Sequence, residues 1–388
     1  MNQLMKVLFT TFCISFFVFV GVSQIGTAYA DDLQDAINAT AKGTEPGQID
    51  PNAEPGFLGI PGAPKPVLVF GFLWAIWVGW IFSTVGAFGG IMAGVGHITV
   101  FGLADYGKTF KDTSPVLNKM ITDSIRVSNQ WMVGLSGAVS SLNYYRMGRL
   151  VLPLGLALAI GSIAGSILVP IITAGKISLK AYIGYFGLIV FIIGGFLFYE
   201  TTPRGQAKKK ESKNAAKAFE ESHIKGTDKG VSEAESGVKV LEWGISKVIF
   251  TFYGVEFSFK PVVPIIGGFF IAAVASFLGI GGGFLFVPFL TSVVGLPMFL
   301  VAGTSALTVL IGMIISIFTY MVVKGVVVFW PLIGVELIGI FVGSMIGPRT
   351  SKYIPDIWLK RLFVVLALYV GLRYTTKGFL GYSIVPPF

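Results

Sequence analysis

A chain of 388 residues that is 54% hydrophobic and only 13% charged is not a soluble domain, which would carry roughly 25% charged residues. Its formal charge of +9 sits in loops beside long apolar runs, where basic residues set topology and meet anionic headgroups; the lipid bilayer is an expected partner and nucleic acid is not. Cys13 is the only cysteine, and His97 and His223 are the only histidines. No intramolecular disulfide, paired haem ligands or clustered zinc set follows from them, so no cofactor, metal or catalytic residue is expected.

Residues 1–30 place Lys6 before an apolar run from Val7 to about Val22, then Ala28-Tyr-Ala30. That is the layout of a secretory signal peptide with a small-x-small cleavage site or, without cleavage, of a first anchor. Residues 31–65 are acidic and then rich in Pro and Gly, and read as an extracytoplasmic tail. From Pro66 to Gly107 the one charge is Asp105; the run suits a span plus a short return. An amphipathic stretch over 120–142 and spans near 150–172 and 179–199 complete a first unit, 66–199. Residues 200–260 are hydrophilic and basic, and within them Val248–Phe259 alternates around Gly254 as a short hairpin would. Spans near 261–282 and 299–323 then flank a Gly/Pro-broken piece. Further spans near 326–347 and 358–375 close a second unit, 261–375, and 376–388 form a C-terminal tail.

The two units match. Ser83-Thr-Val-Gly86-Ala-Phe-Gly89-Gly90 repeats the spacing of Ser276-Phe-Leu-Gly279-Ile-Gly281-Gly282-Gly283. Pro153 and Pro331 stand at equal distances before Gly165-Ser166 and Gly343-Ser344, and Pro170 and Pro348 follow at equal distances after them. Small-residue helix crossing accounts for part of this pattern. Glycine and proline both work against a helix, and in hydrocarbon a backbone that leaves its helix must find partners inside the protein or in a water-filled cavity. The glycine stretches therefore read as helices broken on purpose. The positive-inside rule puts the 200–260 linker in the cytoplasm. Starting outside at residue 65, an odd number of crossings must precede it, which holds if the pieces 88–104 and 284–297 also cross. The predicted fold is an all-α polytopic membrane protein of two homologous, inverted helical repeats with Gly-broken helices, joined by a hydrophilic linker and placed multi-pass in the inner cell membrane.

The second-half run Leu278-Gly-Ile-Gly-Gly-Gly-Phe-Leu-Phe-Val-Pro288, followed by Ala302-Gly-Thr304-Ser305 and Lys324-Gly325, resembles the sulfite exporter TauE/SafE family of membrane permeases. That family typically shows a glycine run, an aliphatic pair and a proline, then an (A/G)-T-S segment at the next helix. The resemblance covers roughly residues 66–375. In the first half Gly86, Gly89 and Gly90 are present, but Gly94-Val-Gly96-His97 replaces the aliphatic and proline part. The resemblance implies a secondary exporter whose substrate is a small anion, sulfite or another sulfur oxyanion or organosulfonate. Rival readings are an anion channel of the same fold and a membrane anchor or assembly subunit; a homo-oligomer is compatible with all three. The phosphate-loop pattern Gly-x4-Gly-Lys-[Ser/Thr] has no match, so direct ATP drive is not expected.

A helix restarting after a glycine run offers free backbone N–H groups and roughly half a positive charge. Gly279, Gly281, Gly282 and Gly283 from one repeat and Gly86, Gly89 and Gly90 from the other are therefore expected to flank the anion near the midplane. Thr304 and Ser305 would add hydroxyl donors, with Ser128 and Asn129 in the comparable place of the first repeat. Arg126 either pairs with Asp123 one helical turn away or supplies a fixed cation to the substrate. His97 is either a proton carrier or a hydrogen-bonded structural histidine. Glu336, the acid deep in a late span, either carries a coupling proton or pairs with a basic residue. Trp74, Trp77, Trp80 and Trp131 read as packing or interface aromatics.

Overall fold

The computed structural model describes residues 27–86, 89–173, 179–207, 210–223, 237–278 and 285–385. The expected signal or anchor segment up to residue 26 and the expected binding glycines Gly279, Gly281, Gly282 and Gly283 lie outside the described residues. The chain is mostly helical. Helix α1 is Thr27–Ala39, α2 is Leu68–Val85 and α3 is Gly89–Val95; α4 is Leu103–Thr109 and α5 is Pro115–Arg146. They are followed by α6 (Leu152–Thr173), α7 (Leu179–Glu200), α8 (Pro203–Ala207) and α9 (Lys210–His223). A small sheet, β1 (Val238–Trp243), β2 (Val248–Phe252) and β3 (Val255–Phe259), precedes α10 (Val262–Leu278). The last elements are α11 (Phe286–Pro288), α12 (Met298–Phe318), α13 (Trp330–Ser351) and α14 (Asp356–Phe379). Among the described residues, three helical segments are long and apolar enough to cross a membrane: α2, α12 with its extension to Val323, and α13. The shorter apolar stretches Leu152–Leu168, Gly187–Glu200 and Val262–Ala273 belong to α6, α7 and α10.

Packing crosses the chain rather than following it. The most extensive helix pairs are α2 with α13, α7 with α14, α6 with α10, and α5 with α12. Three of these pairs have glycines that let backbones touch; between α7 and α14, a Cβ at Gly187 would stand 2.2 Å from the Thr375 nitrogen. A Cβ on Gly339 or Gly343 of α13 would stand 2.4 Å from the Phe72 carbonyl oxygen and 2.1 Å from that of Ile76 on α2. On α6, a Cβ at Gly161 or Gly165 would stand 1.8 Å from the Ile265 oxygen and 2.4 Å from the Phe269 oxygen on α10. Gly161 and Gly165 sit relative to Pro153 as Gly339 and Gly343 sit relative to Pro331. The Pro/Gly-Ser pattern thus encodes the same close crossing twice.

The short helices α3 and α11 also share a shape. After α3 the chain makes a π turn, Gly96–Val100, in which the Phe101 N–H donates to the Gly96 carbonyl at 2.9 Å. After α11 it makes another, Phe289–Val293, closed by the Val294 N–H on Phe289 at 3.1 Å. Each then turns through a left-handed glycine, Gly102 at φ 67° and Gly295 at φ 80°. These two turns are separated by the same number of residues as Gly86 and Gly279. The returning piece lies back along α2, where the Trp74 indole N–H donates to the Met92 carbonyl at 3.3 Å.

Three regions differ from the sequence reading in degree. Residues 31–65 are folded rather than trailing: Leu33, Ile37, Ile49, Phe57 and Ile60 form one buried cluster with Leu103, Phe110, Leu117 and Ile121. The Thr40 and Ser114 hydroxyls meet at 2.9 Å. In the linker, β2 and β3 form the expected hairpin, turning on Tyr253-Gly254 with both residues at positive φ, as a two-residue turn of that hand requires. A third strand, β1, pairs with β2 and is not visible as a strand in the pattern. Helix α14 runs through the expected start of the C-terminal tail to Phe379.

Candidate functional site

The π turn after α3 carries His97 into contact with two other helices. Its side chain and that of Glu336 on α13 are both 0% exposed, with Nε2 and Oε2 3.1 Å apart. The Nδ1–H donates to the Asn129 Oδ1 of α5 at 2.6 Å. A wide turn with i→i+5 bonding is a recurrent device at functional sites because it re-aims one side chain without ending the helix. Glu336 Oε1 is buried and has no hydrogen-bond partner among the described residues. A buried carboxylate oxygen with nothing donating to it is costly, so this atom marks a place where the site is unfinished. Three residues expected from sequence are therefore brought together: His97, Asn129 and Glu336.

The other expected residues stand elsewhere. Gly86, at the broken end of α2 with φ 96°, lies against the second half: a Cβ there would be 2.9 Å from Val287 Cγ2 and 3.2 Å from Ser305 Oγ. Thr304 Oγ1 accepts the Val151 N–H at the start of α6 at 3.2 Å, and the Ser305 hydroxyl donates to the Ala302 carbonyl at 3.2 Å. Gly89 is wedged against Phe82 and Val78 of α2, and Gly90 is half-buried beside it. Gly71 abuts Glu336, so the residues from Gly71 to Gly86 along α2 separate the two groups by about 20 Å at the rise of an α-helix. The described part of the expected site is thus two levels rather than one.

Ser128 donates to the Ser124 carbonyl at 2.8 Å and is spent within its own helix. Arg126 sits one turn before Asn129 and bonds Asp123 at 3.1 Å and the Tyr320 hydroxyl at 2.8 Å; its side chain is 30% exposed. Its charge is thus answered locally. Trp74, Trp80 and Trp131 are buried or half-buried packing groups.

Arg149, in the turn between α5 and α6, is the residue that sequence reasoning placed only in a loop. It is 1% exposed, and its guanidinium lies 4.8, 5.0 and 5.2 Å from the ring centroids of Tyr144, Phe219 and Phe299. It donates to the Phe299 and Pro348 carbonyls at 3.2 and 3.4 Å and to Ser351 Oγ at 3.3 Å. Phe219 comes from linker helix α9. The next residue, Glu220, accepts the Asp356 N–H at the start of α14 at 2.9 Å, and the Val238 N–H of β1 donates to the Gly148 carbonyl at 2.7 Å. The linker is therefore docked on the bundle end, around a cation held by aromatic faces and carbonyls. The one sequence signal was a basic residue following an aromatic pair, Tyr144-Tyr145.

Among the described residues there is no group of three His, Cys, Asp or Glu side chains able to hold a metal ion. Comparison with known proteins is consistent with the geometry of broken apolar helices. A family model described as Sulfite exporter TauE/SafE matches residues 70–374. A probable membrane transporter protein of Methanocaldococcus jannaschii is 34% identical over 121 residues, which are 29% of this chain and 45% of that protein. The match thus spans less than half of that relative's length. No solved structure matches.

Proposed function

The chain belongs to the sulfite exporter TauE/SafE family, a family of membrane transporters rather than enzymes, and from that premise we propose that it is a secondary transporter of a small anion. Sulfite or another sulfur oxyanion or organosulfonate is the substrate class, and export across the inner cell membrane by alternating access is the mode. The observation that carries the reading is reciprocal packing. The first long helix of each half lies along the third of the other, α2 on α13 and α10 on α6, while the second long helices, α5 and α12, meet each other, as do the fourth, α7 and α14. Two matched broken helices, each ending in a π turn and a left-handed glycine, lie within that frame.

This arrangement supports two homologous repeats, 66–199 and 261–375, related by a two-fold axis in the membrane plane, as in many secondary carriers. With the basic linker in the cytoplasm, each half crosses an odd number of times and the repeats are inverted. Binding then falls to Gly86, Gly89 and Gly90 and to Gly279, Gly281, Gly282 and Gly283, because backbone N–H groups freed at a glycine break suit an anion without a fixed counter-charge to trap it. Ser305 stands beside the first of these breaks.

The test is a flux screen in proteoliposomes with sulfite, thiosulfate, sulfate, sulfoacetate and short carboxylates. Saturable uptake of one sulfur anion above protein-free liposomes is expected. Non-saturating flux at channel rates, or no flux of any anion, would reject a carrier. Replacing Gly282 by Leu should abolish uptake while leaving the protein inserted, and external labelling of a tag in 200–260 would overturn the inverted topology.

A further inference from the structure

We propose that His97, Asn129 and Glu336 form a proton-binding site that must be loaded before an anion can pass the His97–Glu336 level of the bundle, about 20 Å along α2 from the Gly86 level. The inference rests on the transport reading above and adds the driving ion to it.

The hydrogen bonds fix how many protons the site holds. The Nδ1–H is committed to Asn129 Oδ1, so Nε2 faces Glu336 Oε2 across 3.1 Å with one proton between them. If histidine owns it, the pair is imidazolium and carboxylate; if glutamate owns it, the pair is imidazole and carboxylic acid. Both are neutral overall. Without that proton two lone pairs would face each other and a bare carboxylate would be left where neither side chain is exposed at all, which is strongly unfavourable. The resting pair therefore keeps its one proton.

A second proton has one place to go. Glu336 Oε1 has no donor among the described residues. A proton from water landing there leaves Nε2–H donating to Oε2 and makes Oε1–H a donor. No bond already present is lost, and the site gains one positive charge. Among the described residues, no carboxylate besides Glu336 is packed against His97 to offset that charge. Helix α2 has no ionisable residue. On α5, Asp123 and Arg126 are paired with each other. On α4, Asp105 and Lys108 are paired at 2.8 Å, with Tyr106 beside them. On α13 the next charged residue after Glu336 is Arg349, more than three turns away. The second proton is therefore stable only with an anion beside it, and the anion is accepted only when Glu336 no longer presents a carboxylate. Each ligand raises the affinity for the other by the same factor. The orphan oxygen is both the proton's landing place and, once protonated, a hydrogen-bond donor to the anion.

The experiment compares wild-type protein with Glu336→Gln in proteoliposomes, using labelled sulfite with protein-free liposomes subtracted, and follows the carboxylic-acid C=O stretch by infrared difference spectroscopy on sulfite addition. In the wild type, uptake should rise with external acidity by up to about tenfold per pH unit, the limit for one linked proton, and sulfite should raise the C=O band. In Glu336→Gln the pH dependence should fall to a ratio of about one, and the band should be missing. His97→Gln, which leaves the glutamate in place, should keep a C=O band and shift the pH profile. Wild-type sulfite flux with no pH dependence, or a pH dependence and band that persist in Glu336→Gln, would overturn the proton site and leave the carrier reading standing. Absence of any sulfite flux with the band still appearing on sulfite addition would reject transport while keeping the site. If Glu336→Gln does not fold, a wild-type C=O band unchanged by sulfite is by itself the refuting result.

Discussion

A single methyl group placed between α2 and α13 should measurably loosen the bundle. In Gly343→Ala the new Cβ would sit 2.1 Å from the Ile76 carbonyl oxygen and 2.9 Å from the Trp80 nitrogen. Both obstacles are backbone, so no rotamer change relieves them. Ordinary contact begins near 3.4 Å, so the helices must part by about 1.3 Å there, and overpacking of this kind costs about 1–3 kcal/mol. Gly334→Ala on the same helix is the control. A Cβ there meets nothing within 4 Å, and alanine is the better helix former by about 1 kcal/mol. Melting of detergent-purified protein, followed by a thiol-independent fluorescence assay, should drop by several degrees for Gly343→Ala and hold or rise for Gly334→Ala. Gly165→Ala, which puts its Cβ 2.4 Å from the Phe269 oxygen, should behave like Gly343→Ala. If Gly343→Ala and Gly334→Ala melt together, backbone contact is not what sets this crossing.

Arg149→Lys keeps the charge but loses the forked geometry that reaches Phe299, Pro348 and Ser351 at once; a loss of about 2 kcal/mol or more is expected by thermal melting, against little change for Arg146→Lys. Phe219→Ala removes one wall of the cage around Arg149, and limited trypsin digestion should then cut the linker under conditions where the wild-type linker survives. The double variant Asp123→Asn/Arg126→Gln removes a partly exposed pair and should change stability by about 1 kcal/mol or less; collapse of the fold would show that the pair is structural in a way its geometry does not indicate. A double-mutant cycle on His97→Gln and Glu336→Gln should give a coupling energy of about 1–3 kcal/mol in melting experiments, and additive effects would deny that the two residues act as a pair.

The long apolar helices were legible because long uncharged runs have few other fates in a chain this apolar, whereas the short polar helices α1, α4, α8 and α9 carry no such signal. The hairpin at Tyr253-Gly254 was legible for a similarly local reason. Thr304 was picked out as a hydroxyl near a ligand, but in the structure it caps the start of α6, a role set by a residue far away in sequence. His97 and Glu336 were singled out as polar intruders in apolar runs and Asn129 as the counterpart of Thr304-Ser305, yet nothing local says that the three meet. Their partnership depends on α13 lying beside α2 and on a π turn that no residue pattern announces. Arg149 escaped notice because a basic residue after a helix reads as a topology signal; its burial comes from Phe219, supplied by a linker that looks merely hydrophilic.

The glycine crossings carry a consequence for how such a protein could move. Helix α2 touches α13 through backbone atoms, and α6 touches α10 in the same way. A rocking motion that kept residues 66–199 and 261–375 as separate stiff bodies would have to tear both contacts open on every cycle. The stiff bodies compatible with these contacts are hybrids, each with helices from both ends of the gene product, and the seam free to slide is the one between them. The two halves matched in sequence pattern would then not be the units that move; stiff units that respect these contacts are cut from the chain along a different line.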